Sequence, residues 1–569
     1  MQWAIAYLAV GWVLLEAFGF VAERFGWPES LTRGATILLG VGLPITLVLA
    51  WFHGERGRQR VRVAEALLLA TIGAAGGAIL WTYGPVDPGD AAGTVALLPA
   101  LDSLADRSIA VLPFENRSGL EEDAYFTDGI HDEILTRLLN VTALRVLSRT
   151  SVMQYRERPG NLRTIGRELG ARFLLEGGVQ RAGDRVRITA QLVDANDDRH
   201  LWAQSYDREL TVENLFAIQS EVATAIAVAL EVSLSEPERE GLNAVYTSDL
   251  EAYNLFLQGK RLQDRFTEAA LRESIELFER AIELDPGFAR AHAALGESHM
   301  WFAHGFASVR PLEVYPEARA AAERALELDE RSAEAYALLG HLMWEVDRKP
   351  EPAERILRLA VDLRPSSVEA HQVLGFLLGE TGRSAEAQVE FAIAYTLDPL
   401  SSATSRALAD AASGAGDLDR ALLLYENTLR SHPDDWQVYY RRARTHVKRG
   451  DLVSAVSDGE RAVALDPRSA RARGILGFAY AMTGEHARAS GVLEELLAEA
   501  EVGYMWPLAP AMIHAGLGEI DAAIDWLETA YDERLTQLVW LETHYHEFAS
   551  LRDDPRYQDL LRRIGEPNE

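Results

Sequence analysis

A chain of 569 residues is too long for one hydrophobic core, and ordinary domain sizes make three or four units the starting expectation. With 86 acidic against 56 basic residues the net charge is -30, so most of the surface repels a nucleic-acid backbone and argues against sequence-general DNA or RNA binding. The absence of cysteine removes disulfides, thiol nucleophiles, Cys-ligated zinc and iron–sulfur clusters.

Three apolar stretches open the chain, at about 3–21, 35–52 and 64–83, each near the length that crosses about 30 Å of hydrocarbon. Met1 to Phe20 lacks the basic start and small-residue cleavage site of a signal peptide and reads as a retained helix. The loop between the first two stretches balances its charges, whereas HGERGRQRVRVAE between the second and third carries Arg56, Arg58, Arg60 and Arg62. By the positive-inside rule that basic loop is cytoplasmic. The N-terminus is then expected in the cytoplasm and everything after residue 83 outside it, as in a bacterial inner membrane with a periplasmic body. Glu16 within the first stretch reads as interfacial or helix-paired, and Pro44 as a kink in the second. The Pro/Gly/Asp-rich segment opening at GPVDPGDAAG makes 84–106 a tether.

From Ser108 the pattern alternates between short β-rich runs and amphipathic segments, which predicts an α/β domain with a mixed sheet over 107–235. SIAVLPF reads as a buried strand, YFTDGIHDEILTRLLN as a helix, LRVLSRT as strand-like and TIGRELG as a short helix. RFLLEGGVQRAGDRVRITAQLVDA, broken by AGD, gives a hairpin, HLWAQSYDREL adds a strand, and a last helix runs from about Leu215 to Ser233. Asp128, His131, Asp132 and Glu133 have the residue types of a metal or acid/base centre. Acidic residues at a helix start are favoured by the helix dipole alone, which is the simpler reading. Gly177 and Gly178 follow a strand, but neither a G-x-G-x-x-G turn into a helix nor a P-loop lysine accompanies them.

The C-terminal half repeats. AIELDP, ALELDE, AVDLRP, AYTLDP, TLRSHP and AVALDP end at 286, 330, 365, 399, 433 and 467, so after one long step the period settles at about 34, that of the tetratricopeptide helix pair. Within one unit Leu374, Gly375, Ala387, Phe391, Ala394 and Pro399 fill the packing positions of that repeat. About eight units are expected over 250–536, with the excess FASVRPLEVYP (306–316) as a loop and capping helices over 537–569. Each pair buries its apolar face only against its neighbours, so the array forms a superhelix with a long concave surface suited to peptides and proteins.

These motifs carry a family resemblance. SIAVLPFENRS, YFTDGIHDEI, TIGRELG, LLEGGVQRAGDRVRITAQLVDA, HLWAQSYDREL and FAIQSEVA resemble the TolB-amino-terminal-like (FlgO-like) domain, which implies an extracytoplasmic binding or assembly module without known catalysis. FASLRDDPRYQDLLRRIG resembles the C-terminal cap of the same membrane-anchored group, and residues 3–52 resemble the anchor of membrane-integrated winged-helix regulators and of related receptor cyclases and kinases. In those relatives an output domain precedes the anchor. Here the chain starts at the anchor, so the expectation is a separate cytoplasmic or membrane partner for any output.

One cluster stands out as a partner-binding site. In YYRRARTHVKRGD, Tyr440, Arg444 and Lys448 fall at i, i+4 and i+8 on the first helix of a unit, the face that lines the groove, with Arg406 and Arg471 at corresponding places in the flanking units. Such a basic island would hold a carboxylate of a bound peptide by charge-assisted bonds. His292 and His299 share a helical face but occupy core aromatic positions of the repeat, and the HYH at 544–546 lacks the spacing to complete a metal site. With no Ser/His/Asp or paired-carboxylate constellation, the sequence points to a non-enzymatic, membrane-tethered receptor or scaffold without a cofactor. The alternatives are a signalling or transcription-regulatory receptor whose output lies elsewhere and, behind it, a hydrolase in the middle domain.

Overall fold

The computed structural model describes residues 106–118, 123–156, 160–306 except 264 and 266, 310–542 except 502, and 544–565. The three expected membrane spans, Glu16, Pro44, the basic loop and all of the tether but Asp106 lie outside the described residues.

The first domain places β1 (Ser108–Val111), β2 (Glu115–Asn116), α1 (Ala124–Leu139), β3 (Arg145–Val146), α2 (Arg149–Met153), α3 (Leu162–Leu169), β4 (Phe173–Ala182), β5 (Arg185–Asp194), β6 (Arg199–Glu209), α4 (Val212–Ala229) and α5 (Glu236–Leu242) in chain order. The sheet is mixed, in the order β3-β1-β4-β5-β6, with β1 parallel to β3 and β4, and β4, β5 and β6 antiparallel. Along β5 the side chains alternate, Val186, Ile188, Ala190 and Leu192 buried under α1 and α4, Arg185, Arg187, Thr189 and Gln191 on the other face. Two expected strands are shorter than their apolar runs. SIAVLPF stops at Val111 because Pro113 has no N–H for the ladder, and only Arg145–Val146 of LRVLSRT is strand, since Ser148 accepts from Ser151 N–H and starts α2 instead. Among the described residues one helix, α4, is long and apolar enough to cross a membrane, and it packs Leu215, Phe216, Ile218 and Val222 onto the sheet.

A tetratricopeptide array of eight helix pairs follows. The first four are α6 (Leu250–Gln263) with α7 (Glu268–Leu284), α8 (Ala289–Phe306) with α9 (Pro311–Leu328), α10 (Ala333–Glu345) with α11 (Pro350–Leu363), and α12 (Val368–Glu380) with α13 (Ser384–Leu397). The others are α14 (Ser402–Gly414) with α15 (Leu418–Ser431), α16 (Trp436–Arg449) with α17 (Leu452–Leu465), α18 (Ala470–Met482) with α19 (His486–Ala500), and α20 (Leu508–Leu517) with α21 (Ile520–Asp532). Gly382, Gly416, Gly450, Gly484 and Gly518 recur at the period and end the first helix of each of the last five pairs with φ between 79° and 85°, which only glycine adopts freely. One period upstream of Gly382 stands Arg348, with φ 57°. The expected loop at 306–316 is largely helix instead. Pro311 starts α9 at a position where its missing N–H costs nothing, and Pro316 is still within the second turn.

The domain and the array share one body. Tyr253 and Phe256 of α6 belong to the same core as Phe126 and Ile130 of α1, and Gly129 lets α6 approach, since a Cβ there would lie 2.2 Å from Leu257. The turns between successive pairs then bind the domain in a row. Arg290 pairs with Glu133, Arg364 donates to Asn140 at 3.4 Å, and Ser366 accepts from Val146 N–H. Further along, the buried Asp398 accepts from Ser148 and, at 2.6 Å, from Ser151. After α21 the chain turns back as 3-10 turns Thr536–Trp540 and His546–Leu551, followed by α22 (Pro555–Gly565).

Candidate functional site

Helix α16 begins at Asp435, whose carboxylate accepts from Gln437 and Val438 N–H, and ends at Gly450, which fixes which face looks into the array. Tyr440, Arg444 and Lys448 lie on that inner face, but all three meet the chain's own atoms. Arg444 is 7% exposed. Its Nε donates to Glu547 Oε1 at 2.7 Å and its Nη2 to Glu547 Oε2 at 3.4 Å and to His544 O at 2.6 Å. The guanidinium also lies 3.9 Å from the Tyr545 ring centroid and 5.7 Å from that of Tyr440. The carboxylate that the basic island holds in this structure is therefore supplied by the C-terminal segment.

Lys448 donates to Ser413 O at 2.7 Å, and burial, then the neighbouring Arg444, lowers its pKa. Arg406 on α14 stands 3.6 Å from Asp435, and Arg471 on α18 lies 5.4 Å from the Trp506 ring centroid. Burial lowers the pKa of both arginines. Arg444 goes the other way: burial alone would lower it, but the Glu547 carboxylate outweighs that and raises it well above its ordinary value.

The segment that supplies Glu547 is anchored along the array. Trp540 packs within 6.2 Å of Trp344 on α10 and 5.9 Å of Phe376 on α12, and His544 pairs with Glu380 at 3.2 Å. Leu538, Leu541, Phe548 and Leu551 are buried, and Arg348 donates to Ile564 O of α22 at 2.8 Å. Sequence reasoning missed Glu547, Tyr545 and Glu380, because a capping segment carries no mark of the groove position it will face. Arg348 did carry a signal, as an arginine where the period calls for glycine.

The other sequence candidates separate. Asp128, His131, Asp132 and Glu133 lie beyond the first turn of α1, so the dipole reading does not explain them; Asp128 pairs with Arg156, Asp132 with Arg149, and Glu133 with Arg137 and Arg290. His131 Nε2 meets Val111 O at 2.8 Å. Gly177 and Gly178 serve close approach, since a Cβ on Gly178 would fall 2.7 Å from the Arg117 side chain. His292 meets Pro286 O at 3.2 Å and His299 pairs with Glu317 at 3.4 Å. Among the described residues no group of three His, Asp or Glu side chains is arranged to hold a metal.

Residues 105–224 match the family described as the second domain of HilA/YgeH-like transcriptional regulators, and residues 406–470 match a tetratricopeptide repeat family. A Rhizobium meliloti (strain 1021) protein named, provisionally, adenylate cyclase 3 is 41% identical over 216 residues, 38% of this chain and 36% of that protein. The chain thus matches about a third of that relative's length. Among solved structures, a thermophilic tetratricopeptide protein of Thermus thermophilus is 20% identical with a TM-score of 0.30, covering 34% of this chain and 99% of that one. YrrB, described as a tetratricopeptide protein with an unusual peptide-binding site, is 19% identical with a TM-score of 0.24, over 34% and 95% of the two chains.

Proposed function

We propose that this chain is the recognition part of a membrane-tethered signalling receptor or scaffold, non-enzymatic in its α/β domain and repeats, which lie outside the cytoplasm. The observation that carries the reading is the Arg444 seat, a desolvated guanidinium between two tyrosine rings that holds a carboxylate and a main-chain carbonyl together. A partner segment with an acidic residue close to an aromatic one offers the same contacts, and Tyr440, Lys448, Arg406 and Arg471 surround the place it would take. Docked domain and array would move as one body, so a partner bound in the groove would be felt at the membrane-proximal domain. The FlgO-like resemblance supports the extracytoplasmic assignment, and the basic loop at 53–65 supports an N-terminus in the cytoplasm.

A second reading, a receptor that controls transcription or cyclic-nucleotide synthesis through a cytoplasmic or membrane partner, is favoured by the relatives: a transcriptional-regulator domain matches 105–224, and a protein named for cyclase activity matches 38% of the chain. Crosslinking and mass spectrometry of the full chain in native membranes test the first reading. Partners captured by the wild type and lost on Arg444→Glu with Lys448→Glu support it; an unchanged partner set overturns it. Cyclic nucleotide made by the purified full chain would overturn the non-enzymatic assignment.

A further inference from the structure

Helices α2 and α3 cover only part of the sheet face that α1 and α4 leave free. Their core, Leu147, Val152, Ile165 and Leu169 with Ala110, Leu112 and Leu174, ends at the start of β4. Beyond it the β4, β5 and β6 register sets two cross-strand rows, Glu176, Gln191 and Ala203, then Gly178, Thr189 and Ser205. The second row has no large side chain. What remains is a basin of about 700 Å³, with Leu112, Leu162, Ile165 and the Tyr155 ring among its walls and Arg117 at its rim. That volume is in the range of small-molecule sites. Gly178 keeps the basin open, since its missing Cβ, which would fall 2.7 Å from Arg117 Nε, lets the guanidinium lie along the sheet and give Nη1 to Thr189 Oγ1 at 3.0 Å.

The charges around this basin are answered within the domain, with one exception. Arg117 gives Nε to Glu115 at 2.9 Å, Arg156 gives both Nη groups to Asp128, and Tyr155 gives its hydroxyl to Glu168 at 2.7 Å. One row along, Asp207 pairs with Arg185 and Arg187. Glu176, half-buried in the floor, accepts from the neutral Gln191 amide, and among the described residues no cation pairs with it. A carboxylate beside an apolar wall and without a cation of its own suits an ammonium, which has three donors and no acceptor and can share Glu176 with the hydroxyl row next to it.

We propose that this basin binds a small amphiphilic amine, its ammonium on Glu176 and its apolar body against Tyr155, Leu162 and Ile165, at a site separate from the repeat groove.

The test is saturation-transfer NMR on the full chain in nanodiscs, titrated with n-butylamine or with butanoate and compared with empty nanodiscs. Butylamine should bind saturably and butanoate should not. Glu176→Gln, which keeps a partner for Gln191, should weaken butylamine at least about tenfold, the value of a hydrogen bond to a charged group. Ala203→Trp fills the basin from an exposed strand position with Glu176 intact, and should abolish binding. Asp207→Asn, which removes an exposed carboxylate from the same face, should bind as the wild type does. Binding of butanoate in place of butylamine would overturn the proposal in favour of an anion site at Arg117. No saturable binding to the wild type, undiminished binding to Glu176→Gln or Ala203→Trp, or an equal loss in Asp207→Asn would overturn it as well.

Discussion

Replacing Glu547 by alanine should release the segment that fills the array. The pair it breaks is deeply buried, with Arg444 7% and Glu547 2% exposed and the closest contact at 2.7 Å. At an effective dielectric of about 20, unit charges about 3 Å apart attract by about 5–6 kcal/mol, while each charge gives up several kcal/mol of hydration. The intact pair is therefore near break-even, and its removal from one side only is what costs. Glu547→Ala leaves Arg444 desolvated with one carbonyl as partner, a loss of about 3–5 kcal/mol. Arg444→Met with Glu547→Leu removes both charges and should recover most of it. The assay is amide hydrogen exchange across 536–551 in the full chain, beside α17 as an internal reference. In Glu547→Ala the segment should lose protection by two orders of magnitude or more while α17 is unchanged, since every ~1.4 kcal/mol is tenfold. Protection within a factor of two of wild type, or a double variant as exposed as the single, would refute the reasoning.

Arg348 bears a left-handed backbone to place a donor on α22, so Arg348→Gly should relieve about 1 kcal/mol of strain and lose a charge-assisted bond, whereas Arg348→Ala loses the bond and keeps the strain. Urea midpoints should rank wild type above glycine above alanine, and tryptic cleavage after Arg552 should accelerate in the reverse order. Gly129→Val should cost at least about 1–3 kcal/mol by driving a side chain into Leu257, and proteolysis should separate the α/β domain from the repeats at lower urea. Acid should loosen the same junction. Burial would raise Glu334, but Arg364 and Arg290 hold it at about 2, so its contribution is full above 4.5 and fades as pH falls toward 2, at no more than about 1.4 kcal/mol per unit. Glu334→Gln should flatten that limb. Glu369 behaves oppositely. Burial first and the Glu297 carboxylate next push it up to about 8, so its stabilising protonation is complete below 4.5 and lost as pH rises through 8, and Glu369→Gln should remove the decline in urea midpoint over that window.

The elements were legible wherever periodicity was strong. The helix at Ala124–Leu139, the β4–β5 hairpin turning at Gly183 and eight helix pairs follow from spacing alone. The strand at Arg145–Val146 was legible but its end was not, because the Ser148 cap starts α2 within the same run, and the excess at 306–316 reads as a loop from the long first step although most of it extends α8 and α9. The basic island was legible from i, i+4, i+8 spacing. Its occupant was not, since nothing local to residues 544–548 encodes a contact about a hundred residues away in sequence. Likewise, the structural role expected of the four acidic and histidine side chains on α1 was legible, but its cause was not, since the arginines that pair with each carboxylate come from tertiary structure.

The central claim is that the Arg444 seat recognises an acidic–aromatic segment and is held in cis by residues 535–551. A segment tethered by a short connection has an effective concentration in the millimolar range, which excludes a weak competitor from the wild type. The direct measurement is fluorescence anisotropy of a labelled peptide of sequence 535–551 titrated with full-length protein in nanodiscs. Saturable binding to the Glu547→Ala chain, at least tenfold weaker binding to wild type, and loss of binding when Arg444→Glu is added are the predicted results. Equal binding to all three chains, or to none, would contradict the account.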